Sequence, residues 1–170
     1  MSAPQASLQL DAEQLYTVLK QGVQRLVHPD TALIGVWSGG AWLAERLQPD
    51  LGLSTPVGRI SSALHRDDFS RRGMAVSREA THLPFEIEGR HVLLVDDVLY
   101  TGRTTRAVIN ELFDYGRPAS VTLVVLVDRG GRELPIEPAF SAARITLPMG
   151  ERVSLGRDDA GLLTFQFERV

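Results

Sequence analysis

Two adjacent carboxylates, Asp96 and Asp97, follow the apolar run Val92–Val95; two apolar residues and Tyr100 later comes Thr101-Gly102-Arg103-Thr104. The apolar run has the look of a fully buried parallel strand, so the carboxylates are expected where that strand ends. The small, hydroxyl-rich Thr101–Thr104 turn leads into a helical pattern over Thr105–Tyr115. Ligands of open α/β sheets bind at the carboxyl ends of strands, and a helix N-terminus offers N–H groups and partial positive charge to a phosphate. The segment therefore offers a phosphate cradle with two hydroxyl-binding acids about one ribose away. That is the chemistry of a phosphorylated sugar. Taken singly, the parts have bland readings: paired acids in a solvated loop, or Thr101 or Thr104 merely capping the next helix. The whole spacing is far more restrictive than any one of them.

The elements that must hold these residues alternate along the chain. Residues 1–9 read as a loose tail. Asp11–Val27 reads as a helix, with Leu15, Val18, Leu19, Val23 and Leu26 at three- and four-residue spacing, ended by His28-Pro29-Asp30. Ala32–Trp37 is a short apolar strand, Ser38-Gly39-Gly40 a tight turn, Ala41–Leu47 a helix and Val57–Leu64 a second strand. His65–Pro84 has no apolar periodicity and carries Arg66, Asp67, Asp68, Arg71, Arg72, Arg78 and Glu79. After the central strand and helix, Ser120–Val127 is another strand, followed by Asp128-Arg129-Gly130-Gly131-Arg132. Arg144–Leu147, Arg152–Leu155 and Leu162–Glu168 are short strand candidates. Strands alternating with helices predict one α/β domain over residues 1–170 with a largely parallel sheet, and the last β pieces form a small added subdomain.

Composition narrows the class. The chain has 170 residues, 44% hydrophobic and 23% charged, as in an ordinary soluble globular domain. It has no cysteine, which removes disulfides, thiolate metal sites and a cysteine nucleophile. No signal peptide or membrane-length apolar run is present, so a cytoplasmic protein without a membrane role is expected. The net charge of −3 argues against general nucleic-acid affinity. Lys20 is the single lysine beside seventeen arginines, a bias that suits phosphate contacts but that genomic base composition would produce equally.

The Asp96–Thr104 block closely resembles the phosphoribosyl-pyrophosphate (PRPP) signature of type I phosphoribosyltransferases. Together with His65-Arg66-Asp67-Asp68-Phe69-Ser70, Phe113-Asp114-Tyr115-Gly116-Arg117-Pro118 and Val127–Pro135, it resembles the PyrR family, bifunctional uracil phosphoribosyltransferases and RNA-binding regulators of pyrimidine genes. The likeness runs from about Ala32 to Val153. It implies the type I phosphoribosyltransferase fold, a central, mainly parallel sheet flanked by helices with a small β-rich C-terminal hood. Asp96 and Asp97 would hold the ribose hydroxyls, and Thr101, Gly102, Arg103 and Thr104 the 5′-phosphate, within a binding segment that includes Val98, Leu99 and Tyr100. Ser38 and Gly39 match the pyrophosphate loop, residues 65–84 with Arg66, Arg71 and Arg72 a mobile active-site loop, and Arg129 and Val153 the region near the base. Mg2+ would arrive with PRPP rather than sit in a protein cage, and the assembly would be a homodimer or higher.

The resemblance implies conversion of uracil and PRPP to UMP and pyrophosphate, with two alternatives. One is a UMP- or UTP-sensing RNA-binding regulator with vestigial catalysis; the other is a phosphoribosyltransferase for another base. Purine-using relatives usually carry Asp at the position of Tyr100, so a tyrosine there points to a pyrimidine. The family's usual Thr-Arg-Gly in the pyrophosphate loop is Ser38-Gly39-Gly40 here, lacking that arginine. Arg144–Val153 is poor in lysine, so RNA binding is not expected to be the main function, although arginines 25, 46, 117, 132, 144 and 152 could build a patch. Of the histidines, His28 and His82 read as solvated, His91 as an edge residue, and His65 as opening the polar loop. Trp37 and Trp42 read as core or subunit contacts rather than base-stacking platforms.

Overall fold

The computed structural model describes residues 9–62 and 81–170; the tail over 1–8 and residues 63–80, which include His65, Arg66, Arg71 and Arg72 of the loop expected over 65–84, lie outside the described residues. Helix α1 (Ala12–Val23) starts where Asp11 accepts the amides of Glu13 and Gln14 at 3.0 and 3.1 Å, an N-cap that satisfies donors the helix itself cannot. It stops earlier than its periodicity predicts. The Leu26 amide bonds to Val23 rather than one residue further back, so the last turn tightens while Leu26 and Val27 still pack on the core.

Strands β1 (Ala32–Val36), β2 (Gly58–Ile60), β3 (His91–Leu99), β4 (Ser120–Asp128) and β5 (Phe140–Arg144) form one sheet in the order β2-β1-β3-β4-β5, each neighbouring pair parallel. Helices α1 and α2 (Gly39–Asp50) cover one face, packing on Leu33, Leu93, Val95, Val124 and Leu126. Helix α3 (Arg103–Asp114) covers the other with Val108 and Leu112 on Ile34, Leu94 and Val125. Burial on both faces explains why β1 and the first half of β3 read as continuous apolar runs. The remaining pair, β6 (Glu151–Arg157) and β7 (Leu163–Arg169), is a separate antiparallel hairpin. The expected phosphoribosyltransferase architecture, parallel sheet with a small C-terminal β piece, is the one found.

Several boundaries differ from expectation. Strand β3 does not end at the carboxylates but runs through Asp96 and Asp97 to Leu99, held in register by Asp96–Val125 and Val98–Val127 pairing with β4. The Ser38–Gly40 turn is really the start of α2, with Ser38 at the N-cap. The strand expected at Arg144–Leu147 lies four residues earlier, because Phe140 pairs with Val124 and packs on the α1 layer. β2 is three residues long, and the backbone of its middle residue, Arg59, also pairs with that of His82 at 2.8 Å in both directions.

The hairpin is tied to the first helix by one carboxylate. Glu13 forms a two-pronged bond with Arg46 at 2.9 and 2.7 Å and also accepts the Leu163 amide at 2.9 Å. The Arg46 bond, reinforced by the Leu163 amide, holds the Glu13 carboxyl below its ordinary range against the opposing effect of burial. Arg46 in turn stacks on the Tyr16 ring at 4.0 Å, while Leu155 and Leu163 complete the contact inside the α1–α2 layer. On the far side Arg157 reaches Glu45 at 3.5 Å and lies over Trp42 at 4.9 Å.

Candidate active site

All five parallel strands end at the same edge, which gathers the segments after β1, β3, β4 and β5 in one place. There a cavity of about 970 Å³ opens between this edge and the hairpin. One wall is Val36, Trp37, Ser38 and Gly39; the floor is Asp96, Asp97 and Val98; Tyr100, Thr101, Arg103, Thr104 and Arg106 form the α3 side. Arg129, Val153 and residues 146–155 close it from the other side.

The carboxylate pair is held by its own backbone. Asp96, 5% exposed, accepts the Asp97 amide at 2.9 Å, and Asp97 accepts the Val98 amide at 2.8 Å. These two bonds fix the orientation of both carboxylates. Asp97 also leans on α2: a Cβ at Gly39 would stand 2.3 Å from its Oδ2, so only glycine allows this approach. At the start of α3, the Thr101 hydroxyl oxygen accepts the Arg103 amide at 3.2 Å, and Gly102 at φ +90° supplies no side-chain cap. The Arg103 guanidinium pairs with Glu133 at 2.7 Å at the rim.

At the opposite end, the Arg129 guanidinium lies over the Tyr100 ring at 3.8 Å and donates to the Glu151 carbonyl at 3.1 Å. Its Nε is buried without a hydrogen-bond partner among the described residues. Next to it, Asp128 is 7% exposed. Burial alone would raise its carboxyl, but the Arg132 hydrogen bond, the Gly130 amide and the charges of Arg132 and Arg144 outweigh this and hold it below the ordinary aspartate range. Since the folded value is the lower one, this stabilisation is complete above about pH 4 and is lost as pH falls through the folded value. Melting temperature between about pH 5 and pH 2 should therefore fall less steeply for Asp128→Asn than for the unaltered protein.

A phosphoribosyl transferase domain model matches residues 17–146. A protein named Bifunctional protein PyrR from Ralstonia nicotianae is 51% identical over 159 residues, 91% of each chain. Another of that name from Nitrosococcus oceani is 46% identical over 172 residues, covering 98% of this chain and 97% of its own. The chain belongs to the PyrR family. The family's domain places it in the phosphoribosyltransferase superfamily, whose chemistry is pentosyl transfer. A solved hypoxanthine-guanine phosphoribosyltransferase from Bacillus anthracis superposes with a TM-score of 0.63 at 17% identity, over 81% of this chain and 80% of its own. At that identity the likeness shows the fold alone.

On this PyrR-family chain, eleven of the residues singled out from sequence meet at the cavity: Ser38, Gly39, Asp96, Asp97, Val98, Tyr100, Thr101, Arg103, Thr104, Arg129 and Val153. Leu99 and Gly102 do not line it. Leu99 is 2% exposed in the α3-side core and contributes its carbonyl, which accepts the Arg129 amide at 3.0 Å. Gly102 faces Ile136 and Leu134 across the β4–β5 connection. Trp37, read from sequence as core or subunit contact, lines the cavity, whereas Trp42 packs on the core. Sequence reasoning missed Arg106, although it lies one turn after Arg103 and so on the same helix face. It also missed the 146–151 loop, which has no local signature.

Proposed function

We propose that the protein transfers the phosphoribosyl group of PRPP to uracil, giving UMP and pyrophosphate. The observation that carries this reading is the meeting, in one cavity, of the Asp96–Asp97 pair with the Thr101–Thr104 turn. Asp96 and Asp97 hold the ribose 2′- and 3′-hydroxyls, Thr101 to Thr104 receive the 5′-phosphate, and Ser38 and Gly39 border the pyrophosphate. Gly102 serves through its backbone, setting the turn. Arg129 and Val153, with Tyr100, bound the base end, and Tyr100 supports a pyrimidine there.

Departure of pyrophosphate leaves positive charge on the ribose. No nucleophilic side chain is required; the residues act by positioning and by charge complementarity to the separating groups. The carboxylates orient the ribose and favour its developing cation. Mg2+ fits as an ion carried by the substrate. An ion arriving with PRPP would meet the Asp96 and Asp97 carboxylates at the cavity floor, oxygen donors of the kind Mg2+ takes. When bound, it neutralises pyrophosphate charge.

The relatives' name, Bifunctional protein PyrR, favours a second, regulatory role beside catalysis. Arg46 and Arg132 are committed to internal partners. Arg25 and Arg117 stand at the edge where strands begin, and Arg144 and Arg152 at the edge where they end. One protomer thus offers no single patch from these six. We further propose a single cytoplasmic domain working as a homodimer or higher assembly.

Purified protein should release pyrophosphate from PRPP with uracil and Mg2+, and more slowly with orotate, hypoxanthine or guanine. Preference for a purine would move the assignment to another base, and absence of turnover together with UMP-stimulated RNA retention on filters would make regulation the main role.

A further inference from the structure

Arg132 lies in the irregular connection between β4 and β5, yet its side chain is only 17% exposed. Its guanidinium is fully engaged: Nε donates to the Ile136 carbonyl at 2.7 Å, Nη1 to the Tyr100 carbonyl at 2.9 Å and Nη2 to Asp128 Oδ2 at 2.7 Å. The other Asp128 oxygen accepts the Gly130 amide at 3.0 Å. One planar fork thereby joins the residue after β3, the end of β4 and the segment leaving for β5. The Tyr100 ring carries the Arg129 guanidinium on its face, and Arg129 reaches Glu151 at the start of the hairpin. Gly131, at φ +73°, seats the ring edge: a Cβ there would stand 2.4 Å from Tyr100 Cε2. The Tyr100 ring, 46% exposed, is thereby held on one face by Arg129 and along one edge by the glycine, while Arg132 clamps the residue's carbonyl.

We propose that Arg132 is the positioning residue of the base end of the cavity. It touches no substrate. It fixes the backbone at Tyr100, and through it the Tyr100–Arg129 stack that sets the distance between α3's leading turn and the hairpin wall. A planar base enters a slot whose width Arg132 determines, while the phosphate and ribose positions at Thr101–Thr104 and Asp96–Asp97 are held by other bonds. Charge alone does not suffice, because an ammonium is a point charge and cannot span three acceptors with the geometry of a fork. Naming this the base end rests on the phosphoribosyltransferase reading; the clamp itself does not.

Two variants perturb the stack from opposite sides: Arg132→Lys keeps the charge but loses the fork, and Gly131→Ala keeps the Arg132 side chain but sets a Cβ, on a backbone at φ +73°, against the ring. With uracil and PRPP varied separately, each should raise the KM for uracil by about tenfold or more and leave that for PRPP within about twofold. Equal rises in both KM values, or no rise for uracil, would overturn the proposal. Exchange of the Arg129 Nε–H with water, followed by NMR, reads the same stack without substrate. It should be slow in the unaltered protein and at least about tenfold faster in both variants; unchanged exchange would overturn the clamp. If the unaltered protein turns over no uracil, the functional reading fails while the exchange measurement still decides the role of Arg132.

Discussion

Asp97→Asn should cut kcat/KM for PRPP-dependent transfer by about 10- to 150-fold, the equivalent of the 1.5–3 kcal/mol of one charge-assisted hydrogen bond. The amide side chain still accepts the Val98 N–H that Asp97 binds at 2.8 Å, so the local backbone is preserved and only the charge is lost. Because Asp97 is half-buried at the cavity floor, melting temperature should move by no more than a few degrees. Asp96→Asn should act in the same direction, and the double variant should retain only trace turnover. Steady-state kinetics beside thermal melts check this, and near-normal turnover in the double variant would sink the ribose assignment.

The second large effect separates two neighbouring glycines. A Cβ at Gly40 would stand 2.3 Å from the Val95 carbonyl oxygen, in the middle of β3's buried run. Alanine inside a helix is favoured over glycine by roughly 0.5–1 kcal/mol, but overpacking against a backbone atom costs about 1–3 kcal/mol or more. The clash wins, since a strand carbonyl cannot rotate away. Gly40→Ala should lower the melting temperature by several degrees. At Gly39 the atoms in the way belong to the Asp97 side chain, its Oδ2 at 2.3 Å, which can turn away, and its Cβ at 2.9 Å, which must shift slightly. Gly39→Ala should therefore keep most of the stability and lose activity by moving Asp97. Equal losses of stability in both variants would contradict this division.

These two glycines also show where the sequence misleads. Gly39-Gly40 has poor helix propensity and reads as a turn, yet it begins α2, because tight seating of the helix on β1 and β3 outweighs propensity. Asp96 and Asp97 read as the end of a strand because carboxylates are rare in strands; pairing with β4 carries the strand through them to Leu99. The buried runs of β1 and β4 needed no such help, since continuous apolar sequence is itself the signature of burial on both faces. The site divides in the same way. Asp96, Asp97, Thr101 and Thr104 are near one another in sequence and could be read as a unit. The wall from Thr146 to Leu155 faces them only because Leu155, Leu163 and Glu13 dock a hairpin onto the first layer. The Tyr100–Arg129–Arg132 arrangement likewise depends on contacts across 32 positions.

The bond from Glu13 to Leu163 joins positions 150 apart. A chain emerging from the ribosome, which grows N-terminus first, displays Asp96, Asp97 and the Thr101–Thr104 turn well before the hairpin that faces them exists. Contacts so distant in sequence also form slowly. The nascent protein thus carries half a site, open to water and without its far wall, and becomes able to enclose a ligand only once β6 and β7 have been made and have reached back to the first helix.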